Sequence, residues 1–316
     1  MSRCRRCWTP TPRSTPNLSK TLSAAEARRQ PTLADAVKRL LEQQGKSTAP
    51  EPVGDVQDRS IEGPGGSIPI RIYTPKGDGP FPVVFYIHGG GWVLADLDTY
   101  DASARALTNA ARVLLVSTDY RHASEHKFPA AHEDTFAAYQ WLLANAASLK
   151  GDPAEIAVVG ESAGGNMAAA IALQARDLGM PMPLRQVLIY PVAGHDFDTP
   201  SYRENANAKP LNRAMMQWFF EKYLSSPAAG DGPLIHLLGR TDLRGLPAAT
   251  VITADIDPLR SDGKQYADHL KKAGVKVDYH NYPGVTHEFF GMGAVVAEAR
   301  QAVQQVAKDL RQTFKH

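Results

Sequence analysis

The chain has 316 residues, with 35 Lys and Arg against 33 Asp and Glu, and its formal net charge of +2 excludes the broadly basic surface of a nucleic-acid binder. Hydrophobic residues make up 43% and charged residues 22%, the balance of a soluble globular protein, and no apolar run is long enough to span a bilayer. Cys4 and Cys7 are the only cysteines, which rules out a disulfide framework, and a C-x-x-C without further ligands does not make a zinc site.

Residues 1–22 are rich in Arg, Ser, Thr and Pro and read as a disordered tail with no expected function. With no secretory apolar core near the start, the expected location is the cytoplasm. From Ala24 to Gln44 the spacing of Leu33, Val37, Leu40 and Leu41 predicts one helix, stopped by Gly45. Val56–Glu62 and Ser67–Thr74 read as strands of a hairpin around Gly63-Pro64-Gly65-Gly66. The Val, Phe, Tyr and Ile of Pro82–His88 suit a strand buried on both faces.

Helices and strands then alternate. Helices are expected at Thr99–Ala111, Ala131–Ala147 and from Met167 to about Gly179, interleaved with strands at Val113–Thr118, Ile156–Val159 and Gln186–Tyr190. A strand at Ala249–Thr253, a helix at Ser261–Ala273, a strand at Val275–Tyr282 and a helix at Ala294–Phe314 complete the series. An antiparallel start followed by repeated βα units implies an α/β fold with a mostly parallel central sheet flanked by helices. Pro191–Leu246 breaks the alternation with a helix at Arg213–Leu224 capped by Asn212. Its Met215, Met216, Trp218, Phe219 and Phe220 are either ordinary packing or the lining of an acyl pocket.

Gly160-Glu161-Ser162-Ala163-Gly164 fits G-x-S-x-G between a strand and a helix, the context in which such a serine is a nucleophile rather than part of a small-residue packing turn. A serine hydroxyl needs a base to take its proton and an acid to hold that base in one tautomer. On the sheet expected here these follow in the order Ser, Asp or Glu, His, each in a loop after a strand. Asp255 and Asp257 both follow one downstream strand and His287 follows the next, whereas His280 lies inside a strand pattern and His195, His236 and His269 occupy the insert, the loop after it and a helix. The oxyanion of acyl transfer needs preorganised N–H donors. Ala163 supplies one, and Gly89-Gly90-Gly91, directly after a strand, supplies others, with His88 as a loop brace. A phosphate loop is disfavoured because the glycines lack its spacing and its Lys-Ser/Thr. No cofactor or metal is called for.

His88-Gly89-Gly90-Gly91-Trp92, Gly160–Asn166, Asp257-Pro258-Leu259-Arg260, the loop ending in His287 and the stretch Asp119–Ala131 together resemble the hormone-sensitive lipase family of α/β-hydrolases, over roughly Pro50 to the C-terminus. That resemblance implies Ser162 as nucleophile, His287 as base and Asp257 as the acid in preference to Asp255, with the amides of Gly90, Gly91 and Ala163 holding the oxyanion. It also implies a helical cap, built from an N-terminal region at 23–50 and an insert at about 195–230, on a catalytic domain spanning 51–316. Trp92, Leu211, Met215, Trp218 and Phe219 are the candidates for substrate contact. Glu161, Ser124 and Glu288 depart from the family's commoner residues, and Glu288 is placed to alter the surroundings of His287.

The expected activity is hydrolysis of short-to-medium acyl esters through an acyl-enzyme, the substrate being a small-molecule ester. The alternatives are an amidase or deacetylase with the same triad and a non-catalytic ligand receptor on this fold, against which the presence of His287 counts. A final strand exposed at a sheet edge leaves room for a homodimer.

Overall fold

The computed structural model describes residues 22–314. The expected tail and the Cys4–Cys7 pair lie outside the described residues. Eight strands form one sheet in the order β1-β2-β4-β3-β5-β6-β7-β8: β1 Asp55–Gly63, β2 Gly66–Thr74, β3 Phe81–Ile87, β4 Leu114–Thr118, β5 Gly151–Glu161, β6 Arg185–Ile189, β7 Ala248–Ile256 and β8 Val277–Thr286. β1 and β2 form the expected hairpin, Gly63 opposite Gly66, and β2 meets β4 antiparallel. All further pairings, from β4–β3 to β7–β8, are parallel.

Parallel strands covered on both faces must be apolar on both, and the alternation is visible residue by residue. Val83, Phe85 and Ile87 of β3, Ile156 and Val158 of β5 and Val251 of β7 face one core, which includes Tyr139 of α4 (Ala130–Asn145), Met167 of α5 (Ala163–Asp177) and Tyr266 of α8 (Arg260–Lys272). Val84, Tyr86, Ala157, Val159 and Ile252 face the other, with Leu107 of α3 (Asp101–Ala111) and Val306 of α9 (Ala297–Phe314). Several sequence boundaries move. β5 begins five residues earlier than its apolar run, because Gly151 pairs with Phe81 across a register shift.

The single N-terminal helix expected over Ala24–Gln44 is instead two, α1 (Ala24–Ala27) and α2 (Leu33–Gln43). Pro31 disfavours a helical conformation at Gln30, and Thr32 starts afresh as an N-cap whose hydroxyl accepts from the Asp35 amide while Asp35 accepts from the Thr32 amide. In the long connection after β6 lie a short α6 (Pro200–Glu204), which the sequence pattern did not signal, and α7 (Arg213–Tyr223). The Asn212 side chain caps α7 by accepting from the Met215 amide at 3.0 Å. No helix among the described residues is long and apolar enough to cross a membrane.

Candidate active site

Ser162 sits between β5 and α5 with φ +57° and ψ −116°, a conformation that costs a non-glycine residue of order 1–3 kcal/mol and persists only where its surroundings impose it. They do so here: the Ser162 amide donates to Ile189 O of the neighbouring strand at 2.9 Å, and its carbonyl accepts from Val192 N. Gly164 allows the close passage of the β3 end, since a Cβ there would stand 2.1 Å from Ile87 O. The turn therefore projects the Ser162 hydroxyl off the carboxyl end of the sheet, where open α/β sheets bind their ligands.

The ends of β7 and β8 supply the partners. His287 Nε2 lies 2.9 Å from Ser162 Oγ, and His287 Nδ1 lies 2.7 Å from Asp257 Oδ2. All three side chains are nearly excluded from water, at 5%, 3% and 0% exposure for Ser162, His287 and Asp257. Asp257 Oδ1 accepts from the Leu259 amide at 2.8 Å, which fixes the carboxylate. Asp255, the other acidic candidate, turns instead to Arg260 at 3.1 Å. Burial disfavours the charged His287 ring, but the Asp257 carboxylate at Nδ1, with help from Glu288 and Glu161, outweighs it and holds the imidazole above its ordinary value.

Gly90 and Gly91 stand beside Ser162 in the wall of the same cavity. Ala163 is the first residue of α5, so its N–H is one of the four a helix leaves without an internal partner. Gly89 lies against the Ser162 side chain rather than in the cavity wall, and its carbonyl accepts from the Tyr120 hydroxyl at 2.8 Å.

The cavity has a volume of about 110 Å³ and is walled chiefly by apolar side chains. Leu211, Met215 and Phe219 line it as expected, together with Met216. Gly91, at φ +60°, is in van der Waals reach of Phe219: a Cβ there would come within 2.3 Å of the ring. Trp92 and Trp218, also expected to touch substrate, do not line it. Trp92 is fully buried and stacks on Tyr223 with centroids 4.6 Å apart. Trp218 Nε1 donates to Leu22 O at 3.1 Å and so ties α7 to the N-terminal segment.

The turn from Ala27 to Leu33 forms a further part of the wall that the sequence did not indicate, because only the break at Pro31 brings it there. Glu288 is another lining residue, at φ +63°, and accepts from the Tyr100 hydroxyl at 3.2 Å. Burial raises its carboxyl, against the pull of neighbouring His287. Beneath the elbow, Glu161 is held between the hydroxyls of Tyr86 and Tyr190, and burial raises its carboxyl too. Asn166 of α5 accepts from His132 Nε2 at 3.0 Å and donates to the carbonyls of Val192 and Ile235, bracing the elbow helix against the insert.

Residues 84–291 match a family described as the alpha/beta hydrolase fold. The carboxylesterase NlhH of Mycobacterium tuberculosis (strain ATCC 25618 / H37Rv) is 44% identical over 239 residues, 74% of this chain and 75% of that protein. The ethyl acetate hydrolase of Pseudomonas putida is 35% identical over 296 residues, 92% of this chain and 91% of that protein. Among solved structures, the hyperthermophilic esterase from Pyrobaculum calidifontis superposes with a TM-score of 0.86 at 38% identity, covering 94% of this chain and 93% of that one.

Proposed function

This chain belongs to the hormone-sensitive lipase family of α/β-hydrolases and is a carboxylic-ester hydrolase, and from that premise we propose that it cleaves short-to-medium acyl esters through a Ser162 acyl-enzyme. The observation that carries the proposal is the unbroken chain of contacts from Asp257 through His287 to Ser162, opening onto a small apolar cavity. His287 Nε2 takes the Ser162 proton as Oγ attacks the ester carbonyl carbon, and Asp257 holds the ring with Nε2 free and stabilises the imidazolium that forms. The oxyanion is received by the amides of Gly90, Gly91 and Ala163. His287 then gives its proton to the departing alkoxide, and a water activated by the same nitrogen releases the acid.

The cavity size supports a short acyl chain. An apolar hole of about 150 Å³ accommodates benzene, so about 110 Å³ takes a few carbons without rearrangement. In this reading α1, α2 and the insert around α7 form a cap over the 51–316 catalytic unit, and the cap sets chain length. β8, an edge strand of the sheet, offers the surface for a homodimer, and the protein works in the cytoplasm on small-molecule esters.

The test is hydrolysis of p-nitrophenyl esters from acetate to palmitate by wild type and Ser162→Ala. Turnover that peaks at short chains and disappears in the variant is the expected result. A peak at long chains overturns the small-pocket reading. Cleavage of aryl amides in place of esters reassigns the same triad to an amidase.

A further inference from the structure

Behind the oxyanion loop lies a second cluster of chemistry-bearing side chains that ester hydrolysis does not use. β3 and β4 are parallel neighbours with Ile87 paired to Thr118, so the residues that follow them, His88 and Asp119, emerge side by side. The turn after β4 returns His122 to the same place. His88 Nε2 lies 3.5 Å and His122 Nε2 3.8 Å from one oxygen, Asp119 Oδ1, and the three atoms fall within 4.8 Å of one another.

None of these three atoms makes a hydrogen bond of ordinary geometry, although each is buried and His88 is completely so. The tautomer explains why this matters. His88 Nδ1 lies 2.9 Å from Gly89 O, a carbonyl that can only accept, so Nδ1 carries a proton. In a neutral ring Nε2 then presents a lone pair to a carboxylate, an arrangement that needs a cation between the two. An imidazolium at His88 is one answer, but 3.5 Å is long against the roughly 2.7–2.9 Å of a charge-assisted N–H···O bond. It would also leave the His122 nitrogen without a partner.

We propose that His88, Asp119 and His122 form a binding site for a divalent transition-metal ion of the Zn²⁺ class. Two imidazoles and one carboxylate suit such an ion, not Mg²⁺ or Ca²⁺, which take oxygen ligands. Bonds of about 2.0–2.2 Å place tetrahedral ligand atoms about 3.3 Å apart. Closure by a few tenths of an ångström on Asp119, with rotation of the partly exposed His122, meets that requirement. The Gly89 carbonyl on Nδ1 is the outer partner that metal-bound histidines ordinarily have. Water fills the fourth position from the side on which Asp119 is 27% exposed. Such an ion fixes His88, and His88 leads directly into the glycines beside Ser162.

The test uses the full chain with Cys4→Ser and Cys7→Ser, so that the N-terminal thiols do not compete. Chelator-dialysed protein is titrated with Zn²⁺ against a chromophoric chelator, alongside His122→Leu and Asp119→Asn in the same background, each checked for folding by circular dichroism. One Zn²⁺ per chain is expected in the parent, with affinity falling at least roughly tenfold in each variant while metal-free His122→Leu keeps its ester turnover. No stoichiometric Zn²⁺ in the parent, or equal affinity in parent and variants, overturns the site and leaves His88 as an imidazolium paired with Asp119. A Co²⁺-loaded parent gives an independent reading: intense tetrahedral visible absorption supports the site, and a featureless spectrum counts against it even if both variants misfold.

Discussion

The carboxyl edge of the sheet and the wall of the pocket above it are built on different principles. At the edge, Ser162, Asp257 and His287 stand on loops whose ends are fixed by the parallel ladder of β5 through β8, so backbone topology alone brings together residues up to 125 positions apart. In the wall, α1, the turn through Pro31 and α7 meet only through side chains. Neighbouring residues there do opposite things: Phe219 faces the cavity, while Trp218 turns to the Leu22 carbonyl. The difference teaches that the reaction's position is set by the fold, whereas the shape that selects a substrate is set by packing.

Breaking the edge should have the largest effect. Ser162→Ala and His287→Ala should each lower turnover by roughly four to six orders of magnitude, and the double variant should lose little more, because in the proposed mechanism these groups act as a unit. Additive losses in steady-state kinetics would mean that they do not share a mechanism. The comparison sharpens in the wall. Trp218→Ala should cost about 3–5 kcal/mol of stability in urea unfolding yet leave the acyl-length profile as it was. Phe219→Ala should move the profile towards longer chains. Equal shifts in both variants would show that the whole of α7, not its cavity face, sets the depth.

The pH profile separates the regions further. In the proposed mechanism only neutral His287 accepts the Ser162 proton, and Asp257 holds its pKa above the ordinary value. The acid limb of kcat/KM should therefore have its midpoint above about 6.5 and fall tenfold per unit below it. Asp257→Asn should move that midpoint down, and an unmoved midpoint would assign the limb to another group.

The smallest effect lies under the insert. Asp262 accepts from the Ala193 and Gly194 amides at 3.1 and 3.0 Å, and burial, the dominant influence, raises its carboxyl to about 7. An acid that holds its proton in the folded chain and loses it near 4 when unfolded costs stability as pH rises between those values. Asp262→Asn should thus gain stability over wild type at pH 8 and lose that gain towards pH 4, as urea midpoints at the two pH values will show.

The edge was legible in the sequence because each of its requirements leaves a local mark: small residues around Ser162, glycines after β3, an Asp and a His each ending an apolar run. Even there Asp255 and Asp257 were inseparable by position, and only the Asp-Pro-Leu resemblance favoured Asp257. In the structure Arg260 draws Asp255 away, while the Leu259 amide and His287 hold Asp257. The wall left no such mark. Apolar helix residues look alike whether they face a cavity or a neighbouring segment, so Trp92 and Trp218 read as pocket residues although one stacks on Tyr223 and the other anchors Leu22. The His88–Asp119–His122 cluster was equally hidden, since its spacing in the chain follows the length of α3 and β4 rather than any ligand pattern.

The bond from Trp218 to Leu22 also carries a chronology. It joins residues 196 positions apart, and Arg28, one residue beyond α1, hangs from the carbonyls of Val93 and Ala123. A four-residue helix has little stability of its own, and beyond the Ser23 cap this segment is held through Arg28 and Leu22 by Val93, Ala123, Glu125 and Trp218, all further along the chain. The tie to α7 can therefore close only after Trp218 has been made, later than the Val93 and Ala123 carbonyls that hold Arg28. The pocket thus takes part of its wall from nearly its earliest described residues, and the cavity beside the serine is complete only when both ends of that 196-residue tie are in place.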